Sequence, residues 1–448
     1  MSSVPEIILG GTAEPVSLTA PNATGPRDEP SPILTPDTEP VFQFVCGTAG
    51  CGKTTLVRNR CADYDDALLM ATTGIAAVNL GEGVTTINSL LMFFDTNDLR
   101  SAYEVGRLGA FLNRFYRSGY RRLILDEVSM LDAEQLTILV TCIEDQNAQR
   151  ESEGQEPFGL TLVGDFFQLP PVKAAFAFES PVWDRFEPNT LRLTKIWRQS
   201  DAEFLKALHA VRRGDRQTAL DYFRERLHKS QESQYDGTTI FAKNDEVDRH
   251  NKLRLMQLLK PVETFTATRQ GKQSGEWKQI PDRLELKPGC LVMILANRRE
   301  KRPAGDDSGE PMPLIYANGD LGHYVGKFNE SIAVVKLLRT GQEVYVHPAV
   351  KEKSSATGNK GVKAARNEIE GSITYMPLRV AYGTTVHKTQ SLTLDRVQVV
   401  YHSQFWAQVG MLYTALSRCR TPEGLHLVGT PEQFAARVTV NPKLARWA

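Results

Sequence analysis

The apolar positions along this chain fall into two kinds of run. "VFQFVCG" (41–47), "ALLMATTG" (67–74), "RRLILDEVSM" (121–130) and "LTLVGD" (160–165) are short, nearly continuous hydrophobic stretches, separated by turns and helix-like segments. Strands of this kind are buried on both faces, as in a parallel sheet covered by helices. A second series starts at "TTIFAKNDEVDRHNKLRLMQLL" (238–259), a strand followed by a helix. It resumes at "LRVAYGTTVHKTQSLTLDRVQVVY" (378–401) and "LYTALSRCRTPEGLHLVG" (412–429). Between these pieces the texture changes. "LKPGCLVMIL", "GHYVGKF", "SIAVVKLL" and "QEVYVHP" are short strands parted by turn residues, which predicts a small antiparallel barrel inserted into the second α/β unit.

These patterns divide the chain into a first α/β domain at 41–195, a second at 196–284 and 372–448, and a barrel at 285–371. Residues 1–40 precede them with eight prolines, six acids, one arginine and no clear periodicity, and are expected to be a solvated, disordered leader. The leader lacks the basic and apolar regions of a signal peptide and the Arg-rich character of a transit peptide. Two loops of the barrel, "NRREKRPAGDDSGEP" and "KEKSSATGNKGVKAARNE", read as mobile. The second is mostly basic and is suited to a phosphate backbone, although a solvated loop is the simpler reading.

Composition narrows the class. The chain has 448 residues, 41% hydrophobic and 24% charged, which describes a soluble globular protein of two or more domains. No apolar run approaches the roughly 20 residues that cross a bilayer, so no membrane partner is expected. The 53 basic and 53 acidic residues cancel, but the chain after residue 40 carries a net +5. That excess permits nucleic-acid binding without arguing for it. The six cysteines form no C-x-x-C pair, which disfavours zinc and disulfides and fits an intracellular protein of the cytoplasm or nucleoid.

The chemistry begins at "GTAGCGKT". Gly47, Thr48, Ala49, Gly50, Cys51, Gly52, Lys53 and Thr54, with Thr55 after them, match G-x-x-x-x-G-K-[ST] between a strand and a helix start. Backbone N–H groups wrap the phosphates of a nucleotide there, and the helix N-terminus adds its partial positive charge. Lys53 is placed to bridge the β- and γ-phosphates and Thr54 to bind Mg²⁺. About 75 residues on, Asp126 ends a hydrophobic strand and is the second candidate for Mg²⁺, while Glu127 can polarise an attacking water. Consecutive acids at a strand end are often merely solvated; a phosphate loop upstream favours the catalytic reading. A base beside the metal acid implies hydrolysis of ATP.

"VGDFFQLPPV" (163–172) sets Gln168 in a loop pinned by Pro170 and Pro171, where it can sense a γ-phosphate or orient its water. This segment resembles motif III of superfamily 1 helicases, and its G-D-x-x-Q-L-P-P form is similar to the PIF-type, RecD and Dda branch. Other blocks agree in order. "ATTGIAAVNL" (71–80) resembles motif Ia. "TTINSLL" (85–91) is similar to a T-x-H-S block with Asn88 at the histidine. "LTKIWRQSDAEFLKALHAVRRGD" (193–215) resembles motif IV, "AYGTTVHKTQSLTLD" (381–395) motif V with Ser391 at the usual Gly, and "LYTALSRCR" (412–420) motif VI. The resemblance covers about 41–430. One departure is that the adenine-reading glutamine segment ahead of the phosphate loop is replaced by the Pro-rich leader.

The resemblance implies two RecA-like P-loop NTPase domains with ATP between them, a wedge insertion at 91–120 in the first and an SH3-like barrel in the second. It implies an ATP-dependent DNA helicase moving 5′→3′ on single-stranded DNA. Arg418 and Arg198 would be aimed at the γ-phosphate. Thr72, Thr73, Thr86, Asn88, Ser89, Thr385 and His387 would contact the strand, although such threonines are individually more often helix caps. Lys388 and Gln390 would couple the two sites, with coupling as the alternative role of His387. Phe93 and Phe94 would be wedge aromatics, with core packing as the equal alternative. The implied partners are single-stranded DNA and duplex–single-strand junctions, with replication or repair proteins, and the implied state is a monomer. Two other readings stay open: an RNA helicase or RNA-remodelling ATPase, and an ATP-gated nucleic-acid-binding protein that does not unwind.

Overall fold

The computed structural model describes residues 34–447 apart from 82–83, 232–234, 274–276, 278–279, 297, 301–313, 317–318, 339, 355–368 and 391. The expectations for residues 1–33 and for most of the two barrel loops lie outside the described residues.

The first sheet is built as the apolar runs predict. Its strands are β1 (Phe42–Gly47), β2 (Ala67–Ala71), β3 (Thr85–Thr86), β4 (Arg122–Asp126), β5 (Gly159–Gly164) and β6 (Thr190–Leu193), in the order β3-β2-β4-β5-β1-β6. Every pairing is parallel. The connecting helices are α1 (Lys53–Asp63), α2 (Gly74–Leu80), α3 (Ile87–Leu91), α4 (Thr96–Glu104), α5 (Arg107–Arg117) and α6 (Ala133–Ser152). Parallel strands leave their carboxyl ends on one edge, so Gly47, Ala71, Asp126 and Gly164 end together.

Helices α4 and α5 lie inside the segment expected to be a wedge insertion, yet Leu99, Ala102, Leu108, Leu112 and Phe115 belong to the main core with Leu136, Leu139 and Ile143 of α6. Their spacing buries one face of each helix against α6, so the segment expected as a wedge insertion is anchored on the first domain. The last residues of the leader are also fixed. Leu34 is buried, and the buried Glu39 carboxylate pairs with Arg60 at 2.9 Å and Arg122 at 3.1 Å. A buried acid between two guanidiniums holds this stretch to the sheet, so residues 34–40 differ from the disordered leader expected there.

Helices α7 (Ala202–Arg213) and α8 (Arg216–Phe223) lead into the second sheet, β7 (Leu227–His228) and β8 (Thr238–Phe241), followed by α9 (Asn244–Gln257). The antiparallel insertion comes next: β9 (Glu263–Thr266), β10 (Thr268–Gly271), β11 (Arg283–Leu286), β12 (Leu291–Ile294), β13 (Arg298–Arg299), β14 (Leu314–Tyr316), β15 (Leu321–Lys327), β16 (Ala333–Leu337), β17 (Glu343–Val346), β18 (Ala349–Ser354), β19 (Ile369–Tyr375) and β20 (Leu378–Val380). Its central sheet runs β17-β16-β15-β12-β20. Strand pairing reaches beyond 285–371: β9 pairs with β11, β10 with β19, and β12 with β20. The chain then returns through β21 (Gly383–Thr385), β22 (Val397–Val400), α10 (Met411–Leu416), β23 (Leu425–Val428) and α11 (Pro431–Arg437). The second parallel sheet has the order β21-β8-β22-β23-β7.

The chain end crosses back to the first sheet. Trp447 is 6% exposed and sits edge-on to Phe44 at 5.5 Å and Trp183 at 5.7 Å, in a cluster that includes Phe166 and Phe178. Burial of one indole contributes about 2–3 kcal/mol, so this contact is a strap between the two halves.

Candidate active site

The phosphate loop follows β1 as the motif requires. Gly52 caps α1 at φ 88° with no side-chain cap, so the first N–H groups of the helix keep their donors for an anion. Gly50 lies at φ 85°, and a Cβ there would stand 2.7 Å from Cβ of Arg198; the loop needs glycine both for its turn and for the approach of motif IV. Lys53 is buried and its Nζ donates to the carbonyl oxygens of Gly47 at 2.7 Å and Thr48 at 3.0 Å. The ammonium is therefore held inside the loop that a phosphate would share.

Thr54 donates its hydroxyl to Asp126 Oδ2 at 3.0 Å, and the Glu127 N–H donates to Asp126 Oδ1 at 2.8 Å. Burial, and next the Glu127 charge, push the Asp126 carboxyl well above the usual range. A cation beside it would reverse that tendency. The residues fit Mg²⁺: a hydroxyl and a carboxylate, both hard oxygens, already face each other. Among the described residues no group of three or more His, Cys, Asp or Glu could hold a metal ion, as expected for an ion that takes its other oxygens from phosphates and water. Glu127 has φ 58° and ψ 43°, the left-handed region that non-glycine residues rarely adopt. Thr72 donates its hydroxyl to the Glu127 carbonyl at 2.7 Å and so holds this conformation. Such a residue costs on the order of 1–3 kcal/mol and is characteristic of sites where position matters more than stability.

The facing wall comes from the segment between β6 and α7 and from the residues around α10. Arg198 donates Nε–H to Thr393 Oγ1 at 2.9 Å and Nη1–H to the Ser417 carbonyl at 3.1 Å. Arg418, 2% exposed, donates Nε–H to the Thr414 carbonyl at 2.9 Å and Nη2–H to Ser417 Oγ at 2.9 Å. Among the described residues neither guanidinium has a carboxylate within ion-pair distance. Burial and then the Arg418 charge push Arg198 down to about 9, and burial lowers Arg418 while Glu127 acts in the opposite direction. Two buried guanidiniums held by neutral oxygens, with no carboxylate at ion-pair distance among the described residues, form a cradle suited to an anion. Gln199 braces it, donating to the carbonyls of Ser417 at 3.1 Å and Cys419 at 2.9 Å. Gln168 is 3% exposed, and its Oε1 has no donor among the described residues. The Gln168 carbonyl lies so near Gly410 that a Cβ there would be 2.3 Å away.

The structure adds residues that sequence reasoning missed. The Ala49 N–H donates to Tyr413 Oη at 3.0 Å, and the Tyr413 hydroxyl donates to Asp165 Oδ2 at 3.0 Å. Asp165 Oδ1 accepts from Arg212 at 3.1 Å, whose guanidinium lies 3.6 Å from the Phe167 ring centroid. This buried relay joins the phosphate loop, motif III, α7 and motif VI. Trp197 donates its backbone N–H to the Gly50 carbonyl at 2.8 Å, lies against Gly52, and is 55% exposed. An exposed indole beside a phosphate loop offers a flat face to a base. Both residues lie inside quoted motif blocks, but a tyrosine or tryptophan in an apolar block reads as core.

The residues expected on the strand divide differently. Thr73 caps α2 by accepting from the Ala76 N–H, and Thr86 caps α3 by accepting from the Ser89 N–H. The Thr86 hydroxyl also donates to Ser89 Oγ at 3.1 Å, and Asn88 donates to the Phe94 carbonyl at 3.4 Å. The hydroxyls of Thr72, Thr73 and Thr86 thus have structural partners, and Thr385 is 4% exposed. His387 and Lys388 are half-buried, each with its pKa lowered first by burial. Gln390 is fully buried, with neither amide atom bonded among the described residues. Phe93 is 5% exposed and belongs to the core, whereas Phe94 is 89% exposed. Burial removes Phe93 from the wedge and leaves Phe94.

Comparison with known proteins follows the same lines. A family model described as an AAA domain matches residues 37–231. The chain is 29% identical to the ATP-dependent DNA helicase Pif1 of Bdellovibrio bacteriovorus over 418 residues, 90% of this chain and 86% of that one. It is 30% identical to human ATP-dependent DNA helicase PIF1 over 86% of this chain but spans only 58% of that longer relative. The Pif1 helicase of Candida albicans superposes with a TM-score of 0.66 at 25% identity, covering 91% of this chain and 95% of that one. A Bacteroides Pif1 bound to ssDNA superposes with a TM-score of 0.57 at 25% identity, covering 90% and 92%.

Proposed function

The chain belongs to the Pif1 family of superfamily 1 DNA helicases, and from that premise we propose that it is an ATP-driven motor that moves 5′→3′ on single-stranded DNA and separates duplexes at junctions. The observation that carries the reading is the composite cleft. Lys53, Thr54, Asp126 and Glu127 stand at the edge of the first sheet, and across from them stand Arg198, between β6 and α7, and Arg418, after α10, with no carboxylate within ion-pair distance among the described residues.

In this reading the triphosphate lies in the loop 47–55, where Lys53 exchanges its carbonyl partners for phosphate oxygens. Thr54 and Asp126 would hold Mg²⁺, which would offset charge on those oxygens. Glu127 polarises the attacking water and Gln168 orients it. Arg198 and Arg418 stabilise charge that develops at the γ-phosphate, a contribution of about 10³-fold or more for groups in this role. Trp197 offers its ring to the base, a partner for adenine that does not depend on the missing glutamine segment.

Because the two walls belong to different domains, a bound triphosphate draws them together and product release lets them part. Motion of this kind becomes stepping when the domains grip a strand in turn. The strand-facing groups we assign are Ser89, Asn88 and Phe94 on the first domain and His387 on the second, with Lys388 and Gln390 transmitting between cleft and strand. The DNA helicase names of the relatives favour DNA over RNA. Among the described residues no helix is long and apolar enough to cross a membrane, and the protein is expected to work as a monomer.

The test is unwinding of duplexes with a 5′ or a 3′ single-stranded tail, in DNA and in RNA. Activity confined to 5′-tailed DNA is expected. Preference for 3′ tails overturns the polarity, preference for RNA overturns the substrate, and ATPase that single-stranded DNA does not stimulate overturns the motor.

A further inference from the structure

At the edge of the first sheet opposite the nucleotide, helices α5 and α6 enclose a cavity of about 320 Å³. Its lining is almost wholly polar: Asn113 and Arg117 from α5, Arg121 just before β4, and Gln146, Gln149 and Arg150 from α6. Arg150 is 3% exposed. It donates Nη1–H to Asn147 Oδ1 at 3.0 Å and Nη2–H to Asn113 Oδ1 at 2.7 Å, but its Nε–H has no acceptor among the described residues. Among the described residues no carboxylate lies within ion-pair distance of it.

The surroundings deepen this charge imbalance. Arg121 and Arg150 cover the Tyr116 ring, with guanidinium carbons 4.2 and 4.4 Å from its centroid. The two cations are thus held near each other, and burial, followed by the tyrosine and Arg121, sets the balance that lowers Arg150. The α5 C-terminus offers partial relief, since Arg121 donates to the carbonyls of Tyr116 at 3.0 Å and Tyr120 at 3.1 Å. Arg121 also meets Glu156 at 3.4 Å, but Glu156 is mostly exposed and that pair is weak. Glu153, which accepts from Gln149 at 3.1 Å, is the acid on the lining. A buried arginine with no carboxylate within ion-pair distance among the described residues, beside two further guanidiniums and a single lining acid, leaves this cavity short of negative charge. Packing alone would be met by an apolar side chain of similar length.

We propose that this cavity is a binding site for a phosphate group, with Arg150 as the buried donor, Arg117 and Arg121 at the mouth, and the side-chain amides of Gln146 and Gln149 around it. Guanidinium forks suit the several peripheral oxygens of a phosphate better than the two of a carboxylate. The volume exceeds that of phosphate alone and leaves room for a small ester, such as a nucleoside. The phosphate belongs either to a free small molecule or to a nucleic-acid backbone. The site is separate from the catalytic cleft, and nothing in the helicase reading depends on it.

The test uses the full chain with its catalytic cleft filled by MgADP and aluminium fluoride. Inorganic phosphate and pyrophosphate are titrated while the thermal midpoint is followed, and binding of a single-stranded oligonucleotide is measured in parallel. Wild-type protein should be stabilised in a saturable manner. Arg150→Gln should raise the apparent Kd at least tenfold. Arg117→Gln changes an exposed residue, keeps the fold available if Arg150→Gln does not, and should raise it several-fold. Unchanged oligonucleotide affinity in Arg117→Gln points to a free ligand, whereas a parallel loss points to the strand backbone. No saturable stabilisation of wild-type protein, or equal stabilisation of Arg117→Gln and wild type, overturns the proposal.

Discussion

The two walls of the cleft rest on sheets of the same parallel kind, yet their charged groups are satisfied in opposite ways. On the first wall Lys53, Thr54 and Asp126 bond to each other's neighbourhood: loop carbonyls, a hydroxyl, a carboxylate. On the second wall Arg198 and Arg418 find only carbonyl and hydroxyl oxygens; burial lowers the proton affinity of both, and the Arg418 charge lowers that of Arg198 further. The first wall is prepared to bind a nucleotide by itself. The second is short of negative charge until a phosphate arrives. On the proposed reading, that difference assigns binding to the first wall and makes hydrolysis depend on the second.

Removing the cation of the first wall is expected to have the largest effect. Lys53→Ala should reduce ATP turnover to background, measured as phosphate release with saturating single-stranded DNA; retained turnover would mean that the loop does not hold the triphosphate. Glu127→Gln keeps the size of the side chain and deletes its basicity. ATP binding should persist while hydrolysis falls by about 10³-fold, and normal rates would place the base elsewhere. Arg418→Ala examines the other wall. It should lower kcat by about 10³-fold with little change in nucleotide affinity; loss of affinity alone would make the two walls equivalent.

How much of this contrast was legible in the sequence depends on whether a residue's role is local. The phosphate loop, Asp126 and Glu127 stand at fixed places relative to their own strands, and the strand runs that position them are apolar throughout. Arg418 and Gln168 were legible only through the order of several blocks. The Asp165–Tyr413 bond spans 248 residues of sequence, and no periodicity reports a contact of that kind. The same holds for the barrel, whose β10 and β19 pair across about a hundred intervening residues. The leader's end was misjudged because the partners of Glu39 are Arg60 and Arg122, outside its own segment. Thr73 and Thr86 were ambiguous for another reason. A hydroxyl at the end of a strand is equally placed to cap the next helix or to meet a phosphate, and here the helix takes it. Phe93 and Phe94 are adjacent aromatics of the same type, so their sequence does not distinguish them; after a left-handed residue at Met92 the first is buried and the second exposed.

The Tyr413 hydroxyl bonds to Ala49 and Asp165 across the cleft, so it sharpens the comparison on a smaller scale. Tyr413→Phe deletes the acceptor for the Ala49 N–H and the donor to Asp165 while leaving the ring in place. A neutral hydrogen bond of this kind contributes about 1 kcal/mol, and leaving Asp165 with one donor fewer adds to the cost. DNA-stimulated kcat should fall about tenfold with KM for ATP nearly unchanged, if the relay couples closure to hydrolysis. An equal change in basal and stimulated rates would reduce the tyrosine to a packing residue.

The smallest expected effect concerns the base rather than the phosphates. Trp197 lies beside Gly52 and remains 55% exposed. An aromatic that is merely core would not hold half its surface in solvent at the mouth of a nucleotide loop. Stacking on a base contributes about 1–3 kcal/mol in comparable settings. Trp197→Ala should therefore raise KM for ATP by roughly tenfold while leaving kcat within about twofold. Because every base has a π-face, the same substitution should weaken GTP and CTP as well, so selectivity among them should change little. A loss confined to ATP would mean that Trp197 takes part in reading adenine. An unchanged KM would place the base away from Trp197, and the difference between the walls would then lie in the phosphates alone.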